Sequence, residues 1–375
     1  MLKNFSNLTG LFFILFISSI TALAFYGLIA FNQDGFDLTL LQDSYFHSIL
    51  LFSIKQALLS ALISTALAWP IARALYYYPQ LYLKGTFLSL TLLCFVIPTL
   101  VLITGFVSLL GLSGILTPFL PDDWNLYGLK GILLAHVYMN LPFAVRAIYN
   151  QMRNIPDSSW RLANQLKLNT WQRFYLLEWP TVKSNLILTF GFITILCFNS
   201  FAVVLALGGG PQSTTLEVAI YQALKYDFNL SEALTFAWAP FAIAGVFFVT
   251  LYRSSSISWL SKDTAKKQYL PRLSKTNKIL FSALYSLCFL FMLLPLLSLI
   301  PGIFSVKYSL PLLVNISSAL GVSVAIAGTC AILAIVISYC IMLPIRYSLF
   351  HQQHTTKSLL QWLANHTLIA PAMVL

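Results

Sequence analysis

Two pairs of polar side chains in this chain are spaced so that chemistry between them is conceivable. His136 and Asn140 are four residues apart in HVYMNLP, so both would lie on one face of a helix just before Pro142. Such a pair can hydrogen-bond to a neighbouring helix or line a polar pathway, and the residues leave both interpretations open. His351 and His354 could present two imidazoles in HQQH, but no glutamate companion or third ligand accompanies them. We therefore predict neither a metal site nor a catalytic site.

Three consecutive glycines, Gly208, Gly209 and Gly210, raise the question of phosphate binding. A phosphate-cradling loop needs a lysine after its glycines at the start of a helix, and GGGPQSTT has none. Pro211 blocks continuation of a preceding helix. The stretch predicts a tight turn followed by an amphipathic helix over residues 216–225. ATP, if it is used, must be bound by another polypeptide.

These residues must be positioned by helices that cross a membrane. The chain has 375 residues, of which 58% are hydrophobic and only 9% are charged, unlike a soluble domain. Apolar runs long enough to cross about 30 Å of hydrocarbon recur along the chain, and helices satisfy the backbone there. We predict an all-α polytopic membrane protein with about nine transmembrane helices, at residues 11–31, 49–70, 86–110, 131–148, 186–207, 233–251, 279–300, 319–343 and 359–375.

The formal charge of +11 follows the loops between these runs rather than a nucleic-acid surface. If the N-terminus is cytoplasmic, most of the 22 basic residues fall in inner loops and most acids in outer ones. We therefore predict a cytoplasmic N-terminus and contact with membrane lipid, and no nucleic-acid partner. The first run lacks a small-residue cleavage site, which favours an uncleaved span over a signal peptide. The 11 carboxylates lie outside the predicted spans, which disfavours a secondary transporter driven through an intramembrane acid.

One inner segment, RLANQLKLNTWQRFYLLEWP at residues 161–180, is amphipathic rather than apolar. Asp157 is predicted to cap a first short helix, and Asn169 followed by Gln172 resembles a capping box that starts a second. The helix break is expected just before Asn169. Exposed apolar side chains on such a pair are typical of a partner surface. The alternative is a location in the membrane interface, where tryptophans are common.

The same segment resembles the coupling loop of ABC importer permeases, whose pattern is E-A-A, two residues, L-G, and a later hydrophobic-x-L-P ending. The residues at these positions are Arg161, Leu162, Ala163, Leu166 and Lys167, followed by Leu177, Trp179 and Pro180. The acid, the first alanine and the glycine are replaced, and Asn169 could supply the left-handed turn. The resemblance implies a type I ABC importer permease fold, with a coupling loop at residues 151–183 that docks a cytoplasmic ABC ATPase dimer. The implied contact residues are Trp160, Arg161, Leu162, Ala163, Leu166, Lys167, Trp171, Phe174, Leu177, Trp179 and Pro180.

A second resemblance concerns LALGGGPQSTTLEVAIYQALKYDFN, residues 205–229. Together with the LEWP ending, it is similar to the thiamine and thiamine pyrophosphate permeases, within a broader group that contains ferric-iron permeases. This implies a multi-pass bacterial inner-membrane subunit without a cofactor, a periplasmic solute-binding protein as partner, and thiamine or thiamine pyrophosphate as substrate. Ferric iron or another small solute is the alternative. The outer gate, or the docking site of the binding protein, is then expected at Gly208, Gly209, Gly210, Pro211, Glu217 and Tyr221.

A weak internal repeat predicts two tandem halves. Arg73 and Pro98 are spaced as Arg346 and Pro371 are, in WPIAR and FVIPTLVL and again in LPIR and LIAPAMVL. The second copy stops within an apolar run, before any second coupling loop, so we expect the second half to be incomplete. The predicted halves are residues 1–272 and 273–375.

Overall fold

The fold is built from α-helices joined mostly by short loops. The computed structural model describes residues 2–31, 35, 37–254, 273–305, 309–368, 370–371 and 373–374, and within these ranges the chain forms helices and no strand. The helices are α1 (Leu2–Phe31), α2 (Ser44–Tyr77), α3 (Lys84–Val96), α4 (Thr99–Leu110), α5 (Leu129–Met152), α6 (Asp157–Gln165), α7 (Thr170–Arg173), α8 (Trp179–Phe198), α9 (Ala202–Leu207), α10 (Leu216–Lys225), α11 (Leu230–Ser254), α12 (Lys275–Leu297), α13 (Ile300–Ser305), α14 (Leu310–Phe350) and α15 (His354–Asn365).

Among the described residues, seven helices are long and apolar enough to cross a membrane, or eight if the bent pair of α3 and α4 counts as one span. The predicted all-α polytopic class is confirmed, and the described part of the chain contains fewer spans than the nine predicted. The ninth predicted span, residues 359–375, was wrong: α15 is 12 residues long and ends at Asn365, before the apolar end of the stretch. A helix of that length rises only about 18 Å, too little to cross the hydrocarbon layer.

The third predicted span, residues 86–110, is broken in two. Its halves α3 and α4 meet at 106°, and the backbone of Ile97 and Pro98 is extended between them. Pro98 has no N–H to donate and disfavours helical backbone at Ile97, which ends α3. Pro70 and Pro142 interrupt nothing, because α2 and α5 continue through them. Of these three prolines, Pro98 breaks a predicted span, whereas Pro70 and Pro142 are accommodated within continuous helices.

The fifth predicted span, residues 186–207, is also shorter than predicted. α8 ends at Phe198, and Asn199 occupies its C-cap before the separate helix α9. Asn199 and Ser200 are polar side chains that compete for backbone hydrogen bonds, so they favour a helix end over a helix interior. The interruption lies at the same site as the cavity described below.

Helix α2 lies at the centre of the bundle and packs against α5, α8 and α12. The middle of its buried face is rich in small side chains, since Ala57, Ser60, Ala61, Ser64 and Ala68 are all buried. In a membrane, helix association depends on close packing and hydrogen bonds, and small residues let backbones approach closely. The position of α2 thus follows from its composition.

Helices from the two predicted halves pack on one another. α12 packs against α2 and α4, and the Ser298 hydroxyl donates to the Gly105 carbonyl (3.0 Å). The Tyr138 hydroxyl of α5 donates to the Met292 carbonyl of α12 (2.7 Å). α1 packs instead against α14 and α15. The predicted boundary at residue 272 lies outside the described residues, so the division into halves stays a prediction.

We predict that Gly105→Ala destabilises the bundle. A β-carbon at residue 105 would lie 2.4 Å from the carbonyl oxygen of Pro295, a backbone atom that cannot rotate away. The expected loss is about 1–3 kcal/mol of folding free energy, measured as a lower melting temperature in detergent. Gly27→Ala is the matched control, since no described atom lies within 4 Å of a β-carbon there. Equal melting temperatures for the two variants would contradict the packing of α4 against α12.

Candidate functional site

The predicted coupling segment forms a helical hairpin between α5 and α8. This hairpin, residues 157–178, consists of α6, a turn, α7 and a π-helical turn at Phe174–Glu178. The predicted capping box is confirmed. The Asn169 side chain accepts from the Gln172 N–H (2.8 Å), and the Gln172 side chain accepts from the Asn169 N–H (2.9 Å). Two short helices with a defined break therefore replace a single longer one.

The start of the hairpin differs from its prediction. Asp157 is not the N-cap of α6, because Pro156 occupies that position with extended backbone and Asp157 is the first helical residue. A carboxylate in the first turn still favours the helix through its interaction with the positive end of the helix dipole.

The turn between α6 and α7 is a Schellman motif centred on Lys167. Lys167 has a positive φ of 50°. Its N–H donates to the Asn164 carbonyl (3.1 Å), and the Leu168 N–H donates to the Ala163 carbonyl (3.0 Å). Lys167 stands where the coupling-loop pattern has glycine, the residue that adopts this φ without strain. The expectation that Asn169 supplies the left-handed turn was wrong, since its backbone is extended (φ −73°, ψ 173°).

The inward face of the hairpin is held by the last turns of α2. Trp160 is buried, and its indole N–H donates to the Tyr76 hydroxyl (2.8 Å). Glu178 is buried too: its carboxylate lies 2.8 Å from Nε of Arg73 and accepts from the Tyr77 hydroxyl (2.6 Å). Glu178 was not among the predicted site residues. An acid directly before the tryptophan–proline ending is the signal that could have indicated it.

The opposite face of the hairpin exposes apolar side chains. Leu162, Leu166 and Trp171 are 55%, 62% and 71% exposed, and Tyr175 and Leu176 are exposed beside them. A surface of this kind fits either a partner protein or the membrane interface. The two interpretations differ in whether protein or lipid covers the exposed side chains. The other predicted contact residues divide between the faces: Ala163 is buried, Phe174 and Leu177 are half-buried, and Arg161, Lys167, Trp179 and Pro180 are exposed.

The glycine stretch forms the predicted tight turn, and α10 follows at Leu216–Lys225, as predicted. Gly209 has a φ of 72°, and a β-carbon there would lie 2.8 Å from Cβ of Tyr127. A side chain at this position is therefore opposed by both the backbone conformation and the contact. Pro211 begins a short 3-10 turn that leads towards α10.

The two other residues predicted at the outer gate differ in accessibility. Glu217 is fully buried, whereas Tyr221 is half-buried. The Glu217 carboxylate accepts from the Met373 N–H (3.4 Å), and the neighbouring Leu216 N–H donates to the Ser53 hydroxyl of α2 (3.0 Å). A buried Glu217 fits a gate inside the bundle better than a docking surface, whose side chains must be reachable.

His136 and Asn140 are both buried and both hydrogen-bonded. His136 joins α2 and the α8–α9 loop, because its Nδ1 lies 3.1 Å from the Ser60 hydroxyl and its Nε2 lies 2.9 Å from the Ser200 hydroxyl. Asn140 donates to the His136 carbonyl (2.8 Å) and to the Cys197 sulfur (3.3 Å). The predicted hydrogen bonds to neighbouring elements are therefore present.

The same two residues line a cavity of about 300 Å³. Phe95 and Thr99 line it from either side of the break between α3 and α4, and Phe201 lines it from the break between α8 and α9. A pathway role for His136 and Asn140 stays a prediction. Within the described residues, no group of three histidines, cysteines or acids could hold a metal ion.

Lys167→Gly is expected to stabilise the hairpin by about 1 kcal/mol, because a left-handed backbone disfavours a β-carbon by roughly 1–2 kcal/mol and the greater entropy loss of glycine offsets part of this. Lys167→Val should weaken it, since a β-branched side chain tolerates this conformation least. Hydrogen exchange of peptides from the hairpin measures both effects, with slower exchange for the glycine variant and faster exchange for the valine variant. Faster exchange in Lys167→Gly than in the native chain would contradict the left-handed turn.

Known proteins resemble this chain in the region that contains the hairpin. The family model described as "Binding-protein-dependent transport system inner membrane component" matches residues 64–258. The thiamine transport system permease protein ThiP of Brucella abortus (strain 2308) is 37% identical over 273 residues, covering 70% of this chain and 49% of that protein. ThiP of Haemophilus influenzae is 37% identical over 318 residues, covering 80% of this chain and 57% of that protein. The chain thus spans about half the length of these relatives.

A solved structure agrees with the fold. A bacterial ABC transporter involved in the import of the acidic polysaccharide alginate aligns with a TM-score of 0.50 and 16% identity, covering 61% of this chain and 86% of that chain. At this identity the likeness concerns the fold alone, and it fits the predicted ABC importer permease architecture. With its long apolar helices, this chain belongs to the family of binding-protein-dependent transport system inner membrane components.

Proposed function

We propose that this chain is a transmembrane permease of an ATP-driven, binding-protein-dependent importer for thiamine and its phosphates. ATP would be hydrolysed by a separate ABC ATPase dimer, and the hairpin would be the element on which that dimer docks. The observation that carries the proposal is the two-faced hairpin: one face is fixed against α2, and the other leaves Leu162, Leu166 and Trp171 uncovered. Apolar side chains held in place and uncovered are typical of partner surfaces.

The proposed orientation puts the N-terminus and the hairpin in the cytoplasm and α10 on the periplasmic side. Support comes from charge, because basic residues that flank or belong to the hairpin outnumber acids there, whereas Asp122 and Asp123 lie in the loop before α5. Positive charge is retained on the cytoplasmic side of bacterial membrane proteins. The basic residues around the hairpin are Arg153, Arg161, Lys167, Arg173 and Lys183.

The periplasmic solute-binding protein would deliver its ligand beside the glycine turn and α10. In this arrangement, Gly208, Gly209, Gly210 and Pro211 shape the outer loop, while Glu217 and Tyr221 lie at the gate behind it. The contact between Leu216 and Ser53 supports the idea that α10 moves with α2 rather than independently.

The cavity at His136 and Asn140 is the proposed transport site. Its volume of about 300 Å³ is at the small end of ligand pockets. Phe95 and Phe201 offer aromatic faces, which attract a cationic ring such as that of thiamine, and the two polar residues can supply hydrogen bonds. The relatives described above are thiamine transport permeases, which supports thiamine over ferric iron, the second candidate substrate.

We predict that Leu166→Asp abolishes ATPase docking without unfolding the chain. Leu166 is 62% exposed, so a carboxylate there remains solvated in the free permease but becomes buried in the complex. The expected effect is a loss of about tenfold or more in ATPase co-purification and in ATP-dependent uptake. Ala163→Asp is a less informative variant, because Ala163 is buried and a charge there would disrupt the hairpin itself.

The matched control is Leu112→Asp, which changes a leucine outside the hairpin that is 79% exposed. It should leave ATPase binding intact. Uptake is followed with radiolabelled thiamine in the assembled transporter, with unlabelled thiamine pyrophosphate and ferric citrate as competitors. Undiminished ATPase binding by Leu166→Asp would refute the docking role, and ATP-dependent uptake of labelled ferric citrate but not of labelled thiamine would move the substrate assignment to ferric iron.

A further inference from the structure

The hairpin carries a buried carboxylate that the docking surface does not explain. Glu178 has no exposed surface. Oε2 of Glu178 lies 2.8 Å from Nε of Arg73, while Oε1 accepts from Nη2 of Arg73 (3.1 Å) and from the Tyr77 hydroxyl (2.6 Å). A guanidinium and a phenol from adjacent turns of α2 thus converge on one carboxylate, each with one hydrogen bond to Oε1. Because Glu178 is buried, separating it from Arg73 would leave an uncompensated carboxylate, so the contact resists separation.

A second contact fixes the other end of the hairpin to the same part of α2. The Trp160 indole N–H donates to the Tyr76 hydroxyl (2.8 Å), and Tyr76 is adjacent to Tyr77. Between these two anchors, the ring of Trp69 packs edge-on against Phe174 (5.6 Å between ring centroids). Among the contacts described here, the hairpin is therefore attached to α2 only through the last three turns of that helix.

Helix α2 extends from these anchors to the cavity at His136 and to α10. It has 34 residues, which at 1.5 Å per residue is about 51 Å. Its Ser60 hydroxyl lies 3.1 Å from His136 at the cavity, and its Ser53 hydroxyl accepts from the N–H of Leu216 in α10. A continuous helix that contacts three sites is a physical route by which displacement at one can reach the others.

We propose that the Glu178–Arg73 ion pair, completed by Tyr77, is the positioning contact through which displacement of the hairpin moves α2. Glu178 lies in a π-helical turn, an irregularity that is frequent at functional sites and that rotates the last turn of the hairpin relative to a regular helix. In this view the ATPase docks on Leu166 and Trp171. The Glu178–Arg73 pair then transmits the motion of the hairpin through α2 to the cavity and to α10. The inference rests on the proposed importer function.

The test measures coupling rather than activity alone. The assembled transporter, with its ATPase and binding protein, is reconstituted in liposomes, and radiolabelled thiamine uptake and ATP hydrolysis are measured in the same samples. Glu178→Gln removes one charge with little change in size, and Arg73→Gln removes the partner charge with a shorter polar side chain. The double variant Glu178→Arg with Arg73→Glu restores opposite charges in reversed order. Lys130→Gln is the control, because it removes an exposed charge from α5 outside the predicted coupling loop.

Each single variant is expected to lower thiamine transported per ATP by about tenfold or more while the ATPase still docks, and the reversed pair should recover to within about threefold of the native ratio. A merely structural role would lower the amount of complex but leave this ratio unchanged. Single variants with native ratios, or a reversed pair no better than the single variants, would overturn the proposal.

A milder variant keeps the test decisive if a single variant fails to assemble. Tyr77→Phe removes one hydrogen bond to Glu178 and leaves both charges, so the ratio should fall by about threefold. A native ratio in Tyr77→Phe would then overturn the proposal. Failure of the importer function itself is distinguishable, because the native complex would then show no ATP-dependent uptake at all.

Discussion

The burial of Glu178 against Arg73 constrains the geometry of the whole hairpin. A carboxylate without exposed surface must keep its cationic partner, so the end of the hairpin has to face α2. Trp160 imposes the same direction at the other end, because its buried indole N–H needs the Tyr76 hydroxyl. With both ends facing inward, residues on the opposite side of two short helices have to face outward. The exposed apolar surface is thus a geometric consequence of the two buried contacts at Glu178 and Trp160.

The interior of the bundle follows a second constraint, which is that non-helical backbone at membrane depth must be buried in protein or line a cavity. The break between α3 and α4 and the break between α8 and α9 both meet this condition, since Thr99 and Ser200 line the same cavity as His136. Discontinuous helices around a central site are a recurring arrangement in transporters. The two breaks line the proposed substrate site, and α2 contacts both this site and the hairpin. Helix α2 therefore connects the proposed substrate site to the proposed ATPase site.

Local signals in the sequence predicted those features that depend on neighbouring residues. The apolar runs, the capping box of Asn169 and Gln172, and helix α10 are of this kind. Features that depend on tertiary contacts were missed. The pairing of Glu178 with Arg73 joins residues 105 positions apart, and nothing in either local sequence shows that they meet. The left-handed conformation of Lys167 was missed for another reason: propensity disfavours a lysine with positive φ, and the hydrogen bonds of the Schellman motif override it.

The most direct test of the account asks what covers the outward face of the hairpin in the cell. A photo-crosslinking amino acid replaces Trp171, which is 71% exposed, and in a parallel strain it replaces Tyr226, which is 68% exposed beyond α10. Illumination of intact cells followed by purification identifies the attached partner. The account predicts an adduct with an ABC ATPase from position 171 and none with it from position 226. Attachment of position 171 to lipid alone, or to a periplasmic protein, would contradict the account.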